Sequence, residues 1–139
     1  PEEPSALAMA VAVAEKEGAD LVMATDPDAD RVGMACKDNK GEWVLIDGNQ
    51  TCMMFTYYIL RRRHELGLLK GKEFMVKTIV TTEIMKDICN HYNTPLLDCY
   101  TGFKWIAAEI REREGKEQYI GGGEESYGYL PADFLRSAS

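Results

Sequence analysis

The segment Thr25-Asp26-Pro27-Asp28-Ala29-Asp30-Arg31 puts carboxylates at three alternate positions and an arginine directly after the last. In an extended segment alternate side chains point the same way, so Asp26, Asp28 and Asp30 can converge on one point. Three ionised carboxylates held together repel one another unless a cation sits among them, and hard oxygen donors suit Mg²⁺ or Ca²⁺. Pro27 and Ala29 add no competing ligand, and Pro27 stiffens the segment. An EF-hand calcium loop requires glycine at its sixth position and glutamate at its twelfth. Counting from Asp26, those positions hold Arg31 and Lys37, which excludes it. The plain structural alternative is a polar loop whose aspartates cap turns. Arg31 argues for chemistry instead. A guanidinium beside a metal ion is poor for holding the metal alone, and makes sense where a phosphate is shared between the two.

A second segment, Gly123-Glu124-Glu125-Ser126-Tyr127-Gly128, follows a glycine run. Its glycines permit unusual backbone angles and close approach of a ligand. Glu124 and Ser126 are two apart, so an extended loop aims both at one side. A carboxylate acceptor beside a hydroxyl suits the adjacent hydroxyls of a sugar. Read without a ligand, the segment is a glycine-rich turn with exposed carboxylates. Glu125 receives no direct role, and Tyr127 and Tyr129 are read as loop packing.

The elements that position these loops follow from apolar periodicity. A helix opens at Pro4-Ser5 and ends at Gly18. Leu21 to Ala24 is a short buried strand running straight into the acidic segment. Val32–Cys36 and Trp43–Ile46 are strands joined by a hairpin turn. Asp47-Gly48-Asn49 breaks the pattern, and a domain boundary is placed there: residues 1–47 form one unit and 48–139 another. A helix spans about Gln50 to Leu66, and a β-branched strand runs from Phe74 to Val80. Thr81-Thr82 caps a helix with Ile84, Ile88 and Tyr92 on one stripe. Leu96–Cys99 is a strand, and Phe103, Ile106, Ala107 and Ile110 mark a further helix. Tyr119-Ile120 leads into the glycine run. This α-β-α-β-α-β alternation predicts an α/β fold, a mostly parallel sheet with helices on its faces. Ligands in such folds sit at the carboxyl ends of the strands, where all three of the most polar loops fall: 25–31, 101–104 and 121–128.

Composition narrows the partners. The 139 residues are 45% apolar, which suits a folded core, and carry a formal charge of −7, which argues against broad nucleic-acid binding. The basic run Arg61-Arg62-Arg63-His64 sits late in a helix, where cations suit the helix dipole. Four cysteines, with no C-x-x-C pair, point to idle thiols in a reducing compartment and away from zinc. No apolar run approaches the roughly 20 residues that span a bilayer, so no membrane partner is expected.

Ala24-Thr25-Asp26-Pro27-Asp28-Ala29-Asp30-Arg31-Val32-Gly33 resembles the metal loop of the α-D-phosphohexomutases, the family of phosphoglucomutase and phosphomannomutase, whose usual pattern is D-G-D-x-D-R. Gly123-Glu124-Glu125-Ser126 resembles the family's G-E-x-S sugar-specificity loop. Thr101-Gly102-Phe103-Lys104-Trp105 is similar to the segment that presents a lysine to substrate in glucose-type members. The three motifs fall in the family's own order over essentially the whole chain.

The resemblance implies a three-layer α/β/α domain of the phosphoglucomutase middle-domain type, preceded by part of a second α/β domain. It implies Mg²⁺ on Asp26, Asp28 and Asp30, catalytic roles for Arg31 and Lys104, and contacts from Glu124 and Ser126 to a hexose phosphate. Phe103 and Trp105 would pack into neighbouring layers. The implied enzyme is a cytoplasmic mutase that transfers a phosphoryl group through a phosphoserine and a bisphosphorylated sugar, with a sugar 1,6-bisphosphate as activator. Its T-x-S-H-N-P-like serine loop and R-x-S-G-T-type phosphate loop are absent from this sequence. The chain is therefore expected to be the end of the second domain and most of the third, inactive without the others. Arg136-Ser137-Ala138-Ser139 depart from the usual continuation. Phosphopentomutase, a non-catalytic divalent-metal module, and a phosphoryl-transfer enzyme with Asp26 as nucleophile are the alternatives.

Overall fold

The computed structural model describes residues 3–132; the divergent Arg136–Ser139 lie outside them. Two sheets form. The first is antiparallel in the order β1 (Leu21–Thr25), β2 (Val32–Lys37), β3 (Trp43–Ile46). Helix α1 (Pro4–Glu17) lies on one face of it, burying Leu7 and Ala14 against Val22 and Ala35. Proline near its start is pre-set for the first helical turn, and Gly18 ends it at φ 67°, a left-handed angle that glycine adopts without steric cost.

The second sheet has the order β5-β4-β6-β7. Strands β4 (Glu73–Thr78), β5 (Leu96–Cys99) and β6 (Gln118–Gly123) run parallel, and β7 (Tyr129–Leu130) closes the edge antiparallel to β6. Alternation along β4 feeds two cores. Phe74 and Val76 meet Ile106 and Ile110 of α4 (Phe103–Glu112) on one face. Met75 faces Leu60 of α2 (Gly48–Glu65) and Cys89 of α3 (Ile84–His91) on the other. Helices thus cover both faces, which is the expected three-layer α/β/α arrangement on a mostly parallel sheet.

Some element edges differ from expectation. Helix α2 starts at Gly48, because Asp47 caps it: its carboxylate accepts from Gln50 N at 2.8 Å, and Gln50 Oε1 accepts from Asp47 N at 2.9 Å. This reciprocal pair satisfies two otherwise orphaned donors. Asp47→Ala is expected to cost about 1 kcal/mol, read as a lower urea midpoint; an unchanged midpoint would contradict the cap. Strand β4 ends at Thr78, and Ile79 and Val80 emerge into solvent in a turn closed by Thr81 N donating to Thr78 O at 3.0 Å. Helix α3 docks through Met85 and Cys89, leaving Ile84 exposed and Ile88 and Tyr92 at the rim. It is rotated by about one residue from the expected stripe.

Candidate active site

β1 runs directly into the acidic loop. One carboxylate oxygen from each of Asp26, Asp28 and Asp30 lies within 4.8 Å of the others. A turn brings them together, not alternation along an extended strand: Ala29 N donates to Asp26 O at 3.0 Å, and Ala29 sits at φ 59°. Asp26 is buried while Asp28 and Asp30 face solvent. Arg31 donates to Asp26 from Nε at 2.7 Å and from its backbone amide at 3.3 Å, and its Nε lies 3.6 Å from Asp30. Burial alone would raise the Asp26 carboxyl, but these Arg31 contacts outweigh it and hold the pKa below the usual aspartate value. Desolvation, followed by the charges of Asp28 and Asp26, pushes Asp30 up.

The glycine run lies inside β6, and the loop proper begins at Glu124. Its buried carboxylate accepts from Gly102 N at 2.6 Å and from Ser126 Oγ at 3.1 Å. Glu124 and Ser126 therefore meet, through a turn over residues 125–127 and not along an extended loop, and Glu124 also grips the segment that carries Lys104. Behind the loop, Cys52 of α2 donates from Sγ to Glu124 O at 3.3 Å. Burial, then Glu125 and Glu124, raise that thiol's pKa to about 12, so it serves as a neutral donor.

Backbone contacts close the loops onto one another. Val32 N, one residue beyond Arg31, donates to Tyr127 O at 3.0 Å, and Tyr127 holds φ 70°. A Cβ built on Gly128 would lie 2.5 Å from the Phe103 ring and 3.6 Å from Asp30 O. A cleft of about 310 Å³ between the acidic loop and α4 is lined by Ala29, Asp30, Phe103, Ala107, Tyr129 and Leu130. The acidic, lysine and glycine–glutamate segments thus meet at one end of the molecule, at carboxyl ends of β1, β5 and β6.

Lys104 is exposed on the first turn of α4, with Nζ 5.1 Å from the centroid of the Trp105 ring. Among the described residues it makes no ion pair with the acidic loop or with Glu124. Trp105 does not fill a layer as expected. It remains exposed, with its ring centroid 5.5 Å from that of Tyr100. Phe103 does pack, against the α4 core.

Sequence reasoning passed over the support of the glycine–glutamate loop. Glu125, given no role, has its carboxylate 3.1 Å from both Thr78 Oγ1 and Thr81 Oγ1. Asn49 Oδ1 accepts from Thr82 N at 2.9 Å, and Gly48 lies directly against Glu125 O. The signal in the sequence is the pair of threonines bracketing two β-branched apolar residues, Ile79-Val80, at a strand end.

Known proteins share this chain's sequence pattern and its fold. The family model described as phosphoglucomutase/phosphomannomutase, alpha/beta/alpha domain III, matches residues 47–138, and that of domain II matches residues 1–41. The phosphoglucomutase of Staphylococcus aureus (strain USA300) is 37% identical over 136 residues, covering 98% of this chain and 24% of the relative. The chain thus spans about a quarter of the length of the curated relatives it matches. A Thermus thermophilus protein assigned as a phosphomannomutase superposes with TM-score 0.67 at 27% identity, over 94% of this chain and 26% of that one. The Aspergillus fumigatus N-acetylphosphoglucosamine mutase, solved with GlcNAc-6P and magnesium, shares the fold at TM-score 0.57 and 18% identity, over 82% of this chain and 23% of that one. Two consecutive domain matches, in order and over nearly every residue, place the chain: it belongs to the phosphoglucomutase/phosphomannomutase family.

Proposed function

We propose that this chain supplies the metal loop and the sugar-reading loop of a phosphohexomutase that interconverts hexose 1-phosphates and 6-phosphates, glucose being the favoured sugar. Residues 1–47 belong to its second domain and 48–139 to its third. Asp26, Asp28 and Asp30 hold Mg²⁺: three hard oxygen donors within 4.8 Å of one another fit that ion. When bound, the ion neutralises charge on the transferring phosphoryl group. Arg31 adds donors beside it, and Lys104 offers a cation or a proton donor from the first turn of α4. Glu124 and Ser126 read adjacent sugar hydroxyls.

One observation carries the reading: Glu124 bridges Gly102 of the lysine segment and Ser126 of its own loop, while Tyr127 O ties that loop to Val32 beside the acidic segment. These contacts support a phosphate site and a hydroxyl-reading site lying side by side, as transfer between two ends of one sugar requires. The magnesium found with the Aspergillus fumigatus enzyme supports the choice of ion. A sugar 1,6-bisphosphate, two-ended like the proposed intermediate, is the fitting activator. Four unpaired cysteines fit a reducing compartment such as the cytoplasm.

The test is turnover of glucose 1-phosphate by the full-length enzyme. Glu124→Ala is expected to lower kcat/KM about 100-fold or more, and Ser126→Ala about tenfold, because each strips a hydroxyl partner from a site built around hydrogen bonds. Sugar-phosphate handling indifferent to both substitutions would overturn the assignment and favour a non-catalytic metal module.

A further inference from the structure

Between the two residues assigned to the sugar, Glu125 directs its side chain to a different set of partners. Thr78 Oγ1 and Thr81 Oγ1 are 2.7 Å apart, each 3.1 Å from Glu125 Oε2, and Glu125 N donates to Thr81 Oγ1 at 3.1 Å. Each hydroxyl has one proton to give. Thr81, accepting from the Glu125 amide, can donate to the Glu125 carboxylate, and Thr78 can donate to that carboxylate or to Thr81. All the polar atoms are satisfied when a carboxylate is present, and one or both hydroxyls lose a partner when it is not.

This seat is itself held from beneath. Lys77, wholly buried, reaches Thr81 O at 3.1 Å, Thr78 O at 3.3 Å, Glu83 Oε1 at 2.8 Å and Asp98 Oδ1 at 3.0 Å. Thr82 N donates to Asn49 Oδ1 at 2.9 Å and Ile79 N to Cys99 O at 2.9 Å, so the turn is tied to α2 and to β5 as well.

The polarity of this turn is inverted. Lys77, Thr78 and Thr81 are 0%, 0% and 2% exposed, whereas Ile79 and Val80 are each 56% exposed. Burying a cation and two hydroxyls while leaving two β-branched apolar side chains in water works against stability. Such local violations of the folding pattern mark functional constraint. The constraint visible here is Glu125, among the described residues the one group outside the turn that both hydroxyls reach.

We infer that Thr78 and Thr81, seated on Lys77, are positioning residues that anchor Glu125 and thereby set where Glu124 and Ser126 present themselves to the sugar hydroxyls. This rests on the assignment of Glu124 and Ser126 to the sugar. Glu125 faces away from the substrate, and its role is to remove the freedom of the loop between its two neighbours.

The experiment uses the full-length enzyme with glucose 1-phosphate and mannose 1-phosphate, which differ at a single hydroxyl. Thr81→Val keeps the shape and removes the hydroxyl; Thr81→Ser keeps the hydroxyl. Thr81→Val is expected to raise KM about tenfold and to shrink the discrimination between the two sugars, with kcat changed about threefold or less, while Thr81→Ser stays within about twofold of wild type. Thr78→Val, which removes one donor and leaves the Glu125 amide bond in place, gives the same pattern at smaller amplitude and substitutes if Thr81→Val does not fold. A lowered Tm with KM and discrimination unchanged would show a merely structural turn and overturn the inference. Wild-type enzyme turning over neither sugar would instead refute the mutase assignment, and this inference with it.

Discussion

On the proposed ligand set, Asp28→Ala should weaken magnesium binding about tenfold or more while leaving the thermal midpoint unchanged. Cation affinity in all-oxygen sites follows the number of charged ligands, so losing one carboxylate of three is a large fraction of the site. Asp28 isolates that effect, because it makes no hydrogen bond or ion pair among the described residues. Asp26 does not, since its removal also breaks its 2.7 Å ion pair with Arg31. The same site should respond to acid in a set order. The Asp30 carboxyl is held above its usual value by desolvation and by its two acidic neighbours, and Asp26 is held below its own by Arg31. Magnesium needs the ionised forms, so its affinity should be level near neutrality. It should fall as pH drops through the raised Asp30 value, before Asp26 takes a proton, beginning above the ordinary aspartate value of about 3.9. Calorimetric titrations at a series of pH values read both effects. Equal affinity in wild type and Asp28→Ala would rule out this carboxylate set as the ligand; an affinity that falls only below the ordinary aspartate value would contradict the raised Asp30 carboxyl.

Gly48→Ala is expected to cost about 3 kcal/mol of stability and to dislodge the loop of Glu124 and Ser126, the proposed sugar contacts. A Cβ at Gly48 would lie 1.8 Å from Glu125 O and 2.8 Å from Tyr127 N, and backbone cannot step aside as a flexible side-chain tip can. The first turn of α2 therefore touches the loop main chain directly, and glycine is what lets it. Gly41→Ala is the control. Gly41 has φ 82° with nothing within 4 Å of an added Cβ, so it carries only the strain of a left-handed residue, about 1 kcal/mol. Chemical denaturation compares the two. A Gly48→Ala cost no larger than that of Gly41→Ala would mean the loop has room to move, and the rigid seating of Glu124 would fall with it.

Both results would bear on one property of this end of the molecule. Apart from Lys104 on α4, its candidate side chains sit on turns, and the turns are fixed by contacts between segments far apart in sequence. Val32 with Tyr127, Gly102 with Glu124 and Thr81 with Glu125 each join segments that no local pattern connects. Preorganisation of this kind is what a site needs to discriminate hydroxyl positions.

Periodicity and motif spacing were enough to read the α/β class, the alternating elements of residues 48–130, and the three loops that carry the candidate chemistry. These properties are local: a strand needs a run of β-branched residues, and a metal loop needs acids at close spacing. Glu124 and Ser126 do come together, but through a turn over residues 125–127 and not through the extended alternation that their spacing suggests. Tertiary structure alone decided the rest. It gathered the aspartates by a left-handed Ala29 and rotated α3 onto Met85 and Cys89. It turned Lys77 inward while Ile79 and Val80 faced water, and gave Glu125 a partner 44 residues away. Which of two neighbouring side chains is buried, and which carboxylate meets which hydroxyl, depends on what the rest of the chain places beside them, and no short window of sequence contains that information.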